Sequence, residues 1–338
     1  MMMDEDGFGF VEEVKPPPKA TTAKGRQSTK EQPSIPDLKP VSLHDFMATE
    51  FPPRELILSP WLPEKGLAML YANRGVGKTW VGLNIAWAIA TGGSFLKWQA
   101  TKSRKVLIVD GEMPANVLQE RLAGVIATHG KTPPSQDAVR IIANDLEEFG
   151  IPDLATPDGQ AALDKALGDA EVIILDNLST LLRSGRENES ESWGVFQGWL
   201  LAKRRQGRAI LMIHHAGKGG QQRGTSKRED VLDTVVNLKR PSDYEATEGA
   251  RFEVHFEKSR GFSGDSAESF EAALVDGALV DGAWIVKSLS DEKEMQVLRL
   301  KAEGLKQREI AQEVGLSLSK VNRIIKKAEE GPGYGLKP

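Results

Sequence analysis

Apolar residues in this chain form short continuous runs that alternate with amphipathic stretches between residues 67 and 213. Runs of this kind, bounded by charged residues or glycine, are typical of strands buried in a parallel sheet, and the amphipathic stretches predict covering helices. The predicted strands are 67–71, 105–109, 139–143, 172–175 and 209–213, and the predicted helices are 79–90, 115–129, 158–167 and 193–206. The pattern therefore predicts an α/β domain with a mostly parallel central sheet.

The hydrophobic spacing changes after residue 230. Segments 231–238 and 251–257 alternate apolar and polar residues, which predicts partly exposed strands and an antiparallel end to the sheet. Further on, apolar or small side chains recur at Ile310, Ala311, Val314, Leu316, Val321 and Ile324. This spacing predicts a small all-α helix-turn-helix module, with Gly315 in the left-handed turn and a second helix that begins at Ser317 or Ser319.

Low hydrophobicity sets the N-terminal segment apart. Residues 1–40 contain seven acidic residues, six basic residues and six prolines, and so few apolar side chains cannot offset the entropy lost on ordering. Residues 43–63 are apolar in short bursts, and their prolines favour an extended lead-in packed on the α/β domain. The predicted organisation is a disordered tail at 1–42, the α/β domain at 43–290, the helical module at 291–330 and a tail at 331–338.

Composition narrows the class of protein further. The chain has 338 residues, a formal net charge of -4 and no cysteine, which excludes disulfides and thiol catalysis and favours a reducing compartment. No apolar run approaches the ~20 residues of a membrane span, and the acidic N-terminus lacks the pattern of a secretory signal. We therefore expect a cytoplasmic protein without a membrane partner, in which any binding of nucleic acid depends on local basic patches.

The stretch from Ala72 to Thr79 has the spacing of a phosphate-binding loop between a strand and a helix. Its glycines let N–H groups curl toward phosphates, and the helix N-terminus adds positive charge. Lys78 is expected to reach the β- and γ-phosphates of ATP, and Thr79 to ligate Mg²⁺. Ala72 replaces the first glycine of the motif, which requires a negative φ there. The candidate nucleotide-binding residues are Asn73, Arg74, Gly75, Val76, Gly77, Lys78, Thr79 and Trp80.

Carboxylates follow two of the predicted buried strands. Asp110 and Glu112 follow a strand that we interpret as a neighbour of the phosphate-loop strand, and Glu112 is the candidate general base for a water at the γ-phosphate. Alternatively, Glu112 caps the helix that starts near Ala115. If Glu112 points away from the nucleotide, Asp110 is the substitute candidate for the general base. Asp176 is the candidate acceptor for the Mg²⁺-bound water.

Two histidines, His214 and His215, end the strand 209–213. Adjacent strand residues point to opposite faces and no third ligand is apparent, so a metal site is not favoured. His215 is the candidate group that senses the γ-phosphate. The alternative is a core histidine with satisfied hydrogen bonds.

Positive charge is concentrated locally. Residues 200–240 carry a net +7, which indicates contact with phosphates of nucleic acid or of a neighbour's nucleotide, unless it is only a solvated surface. The candidate DNA contacts in this stretch are Lys218, Lys227 and Arg228. Lys258 and Arg260 lie on one face of an extended chain and can reach together across a subunit interface, or remain an ordinary exposed pair.

The second helix of the helix-turn-helix exposes Lys320, Asn322 and Arg323, the candidate contacts with duplex DNA. Residues 293–330 hold nine basic and six acidic residues, a net +3 that is sufficient to approach DNA. The alternative is a helical hairpin that binds protein.

With these motifs in this order, the chain resembles RecA-like ATPases of the plasmid replicative helicase RepA kind, an AAA-type P-loop group also found in phages and integrated elements. The resemblance spans about residues 43–290 and rests on Phe51-Pro-Pro-Arg54, Gly66-Leu-Ala-Met-Leu70, Asp110-Gly-Glu112-Met-Pro114 and the His214-His215 strand end. It implies catalytic roles for Glu112, Mg²⁺ support by Asp176, and a homohexameric ring. It also implies that Arg223 reaches a neighbour's nucleotide and that Lys258 and Arg260 act in trans. Ala72 and the helix-turn-helix depart from the minimal plasmid enzyme.

These observations favour an ATP-hydrolysing ring motor that translocates on single-stranded DNA. One alternative is an ATP-switched DNA-binding initiator or regulator that does not unwind DNA. A strand-exchange recombinase is less favoured, because no separate filament-forming module is evident.

Overall fold

The computed structural model describes residues 38–184, 189–217, 229–274 and 284–329, without the side chains of residues 189–192 and 327. The chain divides into two units, Met1–Pro52 and Pro53–Pro338. The strands are β1 (Leu56–Ser59), β2 (Leu62–Pro63), β3 (Leu67–Ala72), β4 (Ser94–Phe95), β5 (Trp98–Ala100), β6 (Val106–Asp110), β7 (Val139–Ala143), β8 (Val172–Asp176), β9 (Ala209–His215), β10 (Thr234–Lys239), β11 (Arg251–Ser259), β12 (Phe270–Leu274) and β13 (Trp284–Ser288). The helices are α1 (Leu43–Ala48), α2 (Lys78–Thr91), α3 (Ala115–Thr128), α4 (Pro157–Ala166), α5 (Leu178–Leu181), α6 (Glu189–Arg205), α7 (Leu289–Ala302), α8 (Gln307–Val314) and α9 (Leu318–Glu329).

A nine-stranded sheet organises the larger unit, in the order β13-β12-β11-β10-β3-β9-β8-β6-β7. The six strands from β10 to β7 in this order run parallel, and β11, β12 and β13 are antiparallel. The predicted antiparallel end is therefore present, although β10 itself pairs parallel with β3 and begins at Thr234 rather than at 231. The residue before it, Asp233, lies in a bend outside the strand, and its carboxylate accepts a hydrogen bond from the Leu67 N–H at 3.0 Å.

Both faces of the parallel sheet are buried. Leu70 and Ile174 pack under α2 on one face, and Met69 and Ile173 pack with Phe196 of α6 on the other. Since successive strand residues alternate between the faces, a strand covered on both sides is apolar at every position. This explains why the strands appear in the sequence as continuous apolar runs.

The strand that precedes Glu112, β6, does not lie at the predicted position in the sheet. β9 and β8 lie between β3 and β6, so the expectation that the strand before Glu112 neighbours the phosphate-loop strand is wrong. An apolar run indicates burial but carries no information about its pairing partner. Because the strands are parallel, their carboxyl ends still meet at one edge of the sheet.

The predicted extended lead-in is only partly extended. In the smaller unit, residues 43–48 form α1, and the Ser42 Oγ accepts the Asp45 N–H at 3.1 Å as its N-cap. In the larger unit, β1 and β2 belong to a separate sheet of order β2-β1-β5-β4. Trp61, between them, is 1% exposed and lies edge-on to Trp98, with ring centroids 5.2 Å apart.

The C-terminal module confirms the helix-turn-helix prediction. Gly315 ends α8 with φ +65, and α9 starts at Leu318, directly after Ser317. The helices share a small core of Val297, Leu300, Ile310, Val314, Val321, Ile324 and Ile325, with Ala311 and Leu316 packed against it. Ser288 is both the last residue of β13 and the N-cap of α7, so no linker separates the module from the sheet.

In the described parts of the chain, no helix is both long enough and apolar enough to cross a bilayer.

Candidate active site

A cavity of about 670 Å³ opens at the carboxyl edge of the parallel strands. Its volume is within the range of small-molecule sites. It lies at the end of β3, β6, β8 and β9, where loops leave the sheet. Its walls are formed by Arg74, Gly75, Val76, Gly77, Lys78, Thr79, Trp80, Asp110, Glu112, Met113, Pro114, Val117, Arg121, Asp176, His215, Gly249 and Ala250. Residues that are more than one hundred positions apart in sequence thus surround one space.

The phosphate-binding loop forms the floor of this cavity. Gly75 and Gly77 have φ values of +77 and +114, which favour glycine at both positions. Ala72 lies in β3 and its φ is not positive. This agrees with the expectation that alanine at this position of the motif needs a negative φ. Asn73 does not line the cavity, although its carbonyl oxygen accepts a hydrogen bond from the Lys78 Nζ at 3.0 Å.

Lys78 is buried, with 6% of its surface exposed. Its Nζ also donates to the Ala72 carbonyl oxygen at 3.2 Å. Among the described residues, no carboxylate lies within 4.0 Å of this ammonium, and burial lowers the pKa of Lys78. A buried cation held only by neutral carbonyls has unused capacity for an anion, so the loop fits a phosphate chain.

Two buried aspartates lie side by side at the carboxyl ends of β6 and β8. Asp110 and Asp176 are paired positions on β6 and β8. Burial and the neighbouring Asp110 raise the pKa of Asp176 to about 7, and the Thr79 hydroxyl donates a hydrogen bond to it. Burial also raises the pKa of Asp110. A hydroxyl beside a buried carboxylate offers the hard oxygen ligands that Mg²⁺ prefers, so Thr79 and Asp176 fit a Mg²⁺ site.

Asp110 organises the turn that carries Glu112. Its Oδ1 accepts the N–H groups of Glu112 and Met113, at 2.9 and 2.7 Å. It is therefore occupied by the backbone, and Glu112 is the carboxylate that faces the open cavity. Gly111 is required between them, because a Cβ there would lie 2.7 Å from the Thr180 Oγ1.

The carboxylate of Glu112 is held by two side chains. The Asn177 Nδ2 donates to its Oε2, and the His215 Nε2 lies 3.4 Å from the same atom. The alternative role for Glu112 as a helix cap is not realised. The N-cap of α3 is Pro114, without a side-chain hydrogen bond, and the Ala115 N–H donates to the Asp145 Oδ2 at 3.1 Å.

His215 has the electrostatics of a neutral imidazole. Burial lowers its pKa, and the positive charge of Lys78 lowers it further. An uncharged ring with an Nε2–H can donate to Glu112 without neutralising it. His214 precedes it on the same strand and belongs to the opposite face. The described ranges contain no cluster of three histidine or carboxylate side chains that could hold a metal ion.

Apart from Trp80, the outer walls of the cavity are formed by residues that the sequence did not single out. On one side, the Arg121 guanidinium lies 5.7 Å from the Trp80 ring centroid, and Trp80 packs against Gly124 of α3. On the other side, Gly249 and Ala250 precede β11. No local motif marks Arg121, Gly249 or Ala250. Asn177 was visible as the residue after Asp176, but its contact with Glu112 depends on the fold.

The predicted trans-acting cations lie away from this cavity. The Lys258 Nζ donates to the Glu229 carbonyl oxygen, and the Arg260 Nη2 donates to that of Asp230 at 3.1 Å. Lys258 pairs in register with Val235, and Val235 pairs with Met69. Met69 is three residues before the end of β3, roughly 10 Å along the strand. The geometry therefore gives Lys258 and Arg260 no role in their own chain's cavity.

The remaining cation expected to act in trans and three of the predicted DNA contacts belong to the segment between β9 and β10. Arg223, Lys218, Lys227 and Arg228 lie outside the described residues.

Part of the basic stretch 200–240 is not an open surface. Lys203 is buried and its Nζ lies 2.6 Å from the Asp164 carboxylate. The Arg208 Nη2 donates to the Gly168 carbonyl oxygen at 2.8 Å. The net charge of this stretch is therefore larger than the positive charge that is available to bind phosphates.

α9 presents the predicted DNA contacts to solvent. Lys320, Asn322 and Arg323 are all exposed, and the intervening Val321 is buried in the core of the module. The Lys320 N–H donates to the Ser317 Oγ at 3.3 Å, so Ser317 caps the start of the helix.

Two known protein families match different parts of the chain. Residues 31–221, more than half of the chain, match the sequence model of the AAA domain, and residues 288–333 match that of a homeodomain-like domain. No curated protein matches the chain.

Two solved structures illustrate what the chain is similar to. The KaiC-like protein PH0186 from the hyperthermophilic archaeon Pyrococcus horikoshii OT3 is 15% identical, over 68% of this chain and 93% of that protein, with a TM-score of 0.48. The RadB recombinase is 14% identical, over 68% of this chain and 92% of that protein, with a TM-score of 0.44.

Proposed function

This chain belongs to the AAA domain family, and from that premise we propose that it is an ATP-hydrolysing ring motor acting on DNA. Its core is the RecA-like α/β fold that the sequence predicted, with a helix-turn-helix after it. The observation that carries the proposal is the convergence of Lys78, Thr79, Glu112, Asp176 and His215 on one cavity. The finer proposal is a replicative helicase of the RepA kind that translocates on single-stranded DNA as a homohexamer.

The residues around the cavity suggest how ATP is bound. The N–H groups of residues 75–79 and the Lys78 ammonium hold the phosphates, and Thr79 and Asp176 would hold Mg²⁺. When bound, Mg²⁺ would offset the negative charge that develops on the phosphate oxygens. Lys78 adds a second positive charge at the same oxygens, inside a low-dielectric site where it acts strongly.

Glu112 is the proposed general base. Its carboxylate accepts a proton from the water that attacks the γ-phosphate. Asn177 and His215 fix the direction of this carboxylate through their hydrogen bonds. Because His215 stays neutral, the charge of Glu112 is available for the proton.

The Glu112→Gln variant tests this assignment. We expect ATP turnover to fall by roughly 10²–10⁴-fold, the usual contribution of a general base, while ATP binding measured by calorimetry is retained. Glu120→Gln is a matched control, because Glu120 is an exposed carboxylate on α3. Normal turnover in Glu112→Gln would remove Glu112 from the mechanism. Failure of the wild-type chain to bind ATP would remove the proposed function itself.

We further propose that each site is completed by a neighbouring copy. Lys258 and Arg260 lie about 10 Å from the level of their own cavity along the strand, which supports action in trans. Arg260→Ala should keep ATP binding and lose turnover in the assembled ring. Lys287→Ala, on the exposed side of β13, is the control. Normal turnover by an assembled Arg260→Ala ring would exclude Arg260, and Arg223 would be tested next.

A second candidate function is an ATP-switched DNA-binding initiator or regulator that does not unwind DNA. Its support is the direct continuation of β13 into α7, which attaches the DNA-facing helix α9 to the ATPase sheet. A forked duplex with ATP and Mg²⁺ distinguishes the two functions. Strand release that depends on Glu112 supports the helicase, and binding of duplex without release supports the switch. Negative-stain images with a non-hydrolysable nucleotide test the six-membered ring.

A further inference from the structure

The loop between β10 and β11, residues 240–250, contacts the phosphate-binding loop at an atom that the proposed chemistry does not use. The Arg240 Nη2 donates a hydrogen bond to the carbonyl oxygen of Gly75, with an N to O distance of 3.0 Å. The guanidinium carbon of Arg240 lies 3.9 Å from the centroid of the Tyr244 ring. Arg240 is an exposed residue that does not line the cavity, so the contact reaches the loop from outside.

The geometry of a peptide bond gives this contact a consequence inside the cavity. The bond between Gly75 and Val76 is trans, and in a trans peptide the C=O and the following N–H point in opposite directions. A donor that holds the Gly75 oxygen on the outside therefore directs the Val76 N–H to the inside, where Val76 lines the cavity. Without it, Gly75 at φ +77 could rotate this peptide at little steric cost.

The stack on Tyr244 restricts Arg240 itself. A guanidinium held 3.9 Å above an aromatic ring has fewer orientations available, and cation–π attraction adds about 0.5–1 kcal/mol at an exposed site. The Tyr244 hydroxyl in turn donates to the carbonyl oxygen of Gly249 at 2.9 Å. Gly249 lines a side wall of the cavity, so the Arg240–Tyr244 pair connects this wall with the phosphate-binding loop that forms the floor.

The rest of the loop is fixed by charge. Arg251, the first residue of β11, forms ion pairs of 2.9 to 3.1 Å with Asp243, Glu248 and Glu271. The stack therefore rests on a segment with little freedom, as a positioning group requires.

We propose that Arg240 is a positioning residue for the phosphate-binding loop, which holds the Gly75 carbonyl so that the Val76 N–H is directed at the bound phosphates before the nucleotide arrives. This inference rests on the proposed nucleotide site, and it adds that the preorganisation of the loop comes from the β10–β11 loop. The Arg240 contact is expected to raise the affinity for the diphosphate unit that ADP and ATP share, and not to change the chemical step.

Arg240→Met tests this most directly, because it removes the donor while keeping an unbranched side chain on the ring. We expect the affinities for Mg-ADP and for a non-hydrolysable ATP analogue to fall by the same factor, about tenfold, the usual effect of losing a hydrogen bond to a charged group. The KM for ATP should rise by a similar factor, and kcat at saturating ATP should stay within about twofold.

A second readout does not involve a nucleotide. Hydrogen–deuterium exchange at residues 75–78 of the nucleotide-free protein should be faster in Arg240→Met, while exchange in β8 stays unchanged. Arg240→Lys should restore part of the affinity, since an ammonium can donate to the carbonyl but does not stack with a fixed plane.

Arg140→Met is the matched control. Arg140 also donates from its guanidinium to a main-chain carbonyl oxygen, that of Leu167 at 2.6 Å, far from the cavity. Its loss should not change nucleotide affinity.

Equal ADP affinity in Arg240→Met and wild type overturns the inference. If that equality comes with a loss confined to kcat, or with weaker binding of the ATP analogue alone, Arg240 acts on the reacting phosphate directly. If the wild-type protein binds no nucleotide, the proposed function fails instead, and the exchange measurement still tests whether Arg240 orders the loop.

Discussion

The candidate active site and the C-terminal module differ in where they place their charges. Around the cavity, Lys78, Asp110 and Asp176 are buried. In the described residues of α7, α8 and α9, every buried side chain is apolar and the charged side chains lie at the surface. Charges in a low-dielectric interior respond strongly to a bound ion, whereas surface charges are screened and bind a polyanion at little cost to the fold. The first arrangement suits catalysis, and the second suits attachment to DNA.

The comparison predicts that removing a charge at the cavity stops chemistry without affecting the C-terminal module. Lys78→Ala has the largest expected effect, a loss of at least about 10³-fold in ATP turnover, or roughly 4 kcal/mol of transition-state stabilisation. Since Lys78 is a desolvated cation, the melting temperature should not fall. Duplex DNA affinity in the absence of ATP should stay within twofold.

Lys165→Ala controls for the loss of a lysine, because Lys165 is exposed at the end of α4. If Lys78→Ala hydrolyses ATP at the wild-type rate, the cavity is not the site of turnover and the contrast between the regions fails.

The reverse experiment disrupts the C-terminal module and leaves the cavity intact. Ile324→Ala removes a side chain that is 4% exposed from the small core between α8 and α9. The expected cost is about 2–5 kcal/mol of local stability, because a core of this size cannot close the cavity it leaves. Duplex binding should be lost, and DNA-independent ATP turnover should be retained.

Hydrogen exchange of α8 and α9 measures this local effect. Leu298→Ala, at a position that is 38% exposed, should change little and serves as the control. Loss of turnover in Ile324→Ala, with the ATPase core still folded, would show that the module is required for the chemistry.

The two regions also differ in how much of them the sequence could predict. The helix-turn-helix was readable almost residue by residue, because most of its core, from Ile310 to Ile325, lies within about twenty residues and Gly315 marks its turn. The phosphate-binding loop was equally accessible, since its function depends on the local backbone of Gly75, Gly77 and Lys78. In both cases, the information needed is contained in neighbouring positions.

Features made by distant contacts were not accessible. Nothing in the run before Asp110 shows that β8 rather than β3 lies beside it, and nothing marks Arg240 as a contact of Gly75. Lys203 and Arg208 counted as free basic residues in the sequence, but the fold commits them to Asp164 and Gly168. Charge counts assume exposure, and only tertiary structure decides exposure.

Removing single surface charges from α9 should have a smaller effect, a partial loss of affinity for duplex DNA. Arg323→Ala and Lys320→Ala should each weaken duplex DNA binding by about 1–3 kcal/mol if the side chain reads a base. If it contacts a phosphate, the affinity should fall uniformly across sequences and the salt dependence should decrease by about one unit. Fluorescence anisotropy at several salt concentrations separates these cases.

Arg299→Ala is the control for α9. Arg299 lies on α7, where its Nε is 3.6 Å from the Glu303 carboxylate. If all three variants bind DNA as the wild type does, α9 is not the DNA-facing helix, and the module is better explained as a protein-binding hairpin.

The smallest effect tests the buried charge itself. The pKa of Asp176 is about 7 in the folded protein against 3.8 as the reference value. Between these values the folded state binds more protons than the unfolded state, so this carboxyl lowers the stability of the nucleotide-free protein as the pH rises from 4 to 7. Asp176→Asn removes the titration. It should be more stable than the wild type at pH 8, by at least about 1.4 kcal/mol, the value of one pKa unit.

Denaturant unfolding at pH 4.5 and pH 8 measures this difference. Asp137 provides a control of opposite sign, because its hydrogen bond with the Lys105 ammonium lowers its pKa to about 2. Asp137→Asn should be slightly less stable than the wild type above pH 4, and that deficit should disappear as the pH falls toward 2. If Asp176→Asn gains nothing at pH 8, the carboxylate is not desolvated. The site would then hold its charges at no cost to the fold, as α9 does, and the distinction between the two regions would not explain their different roles.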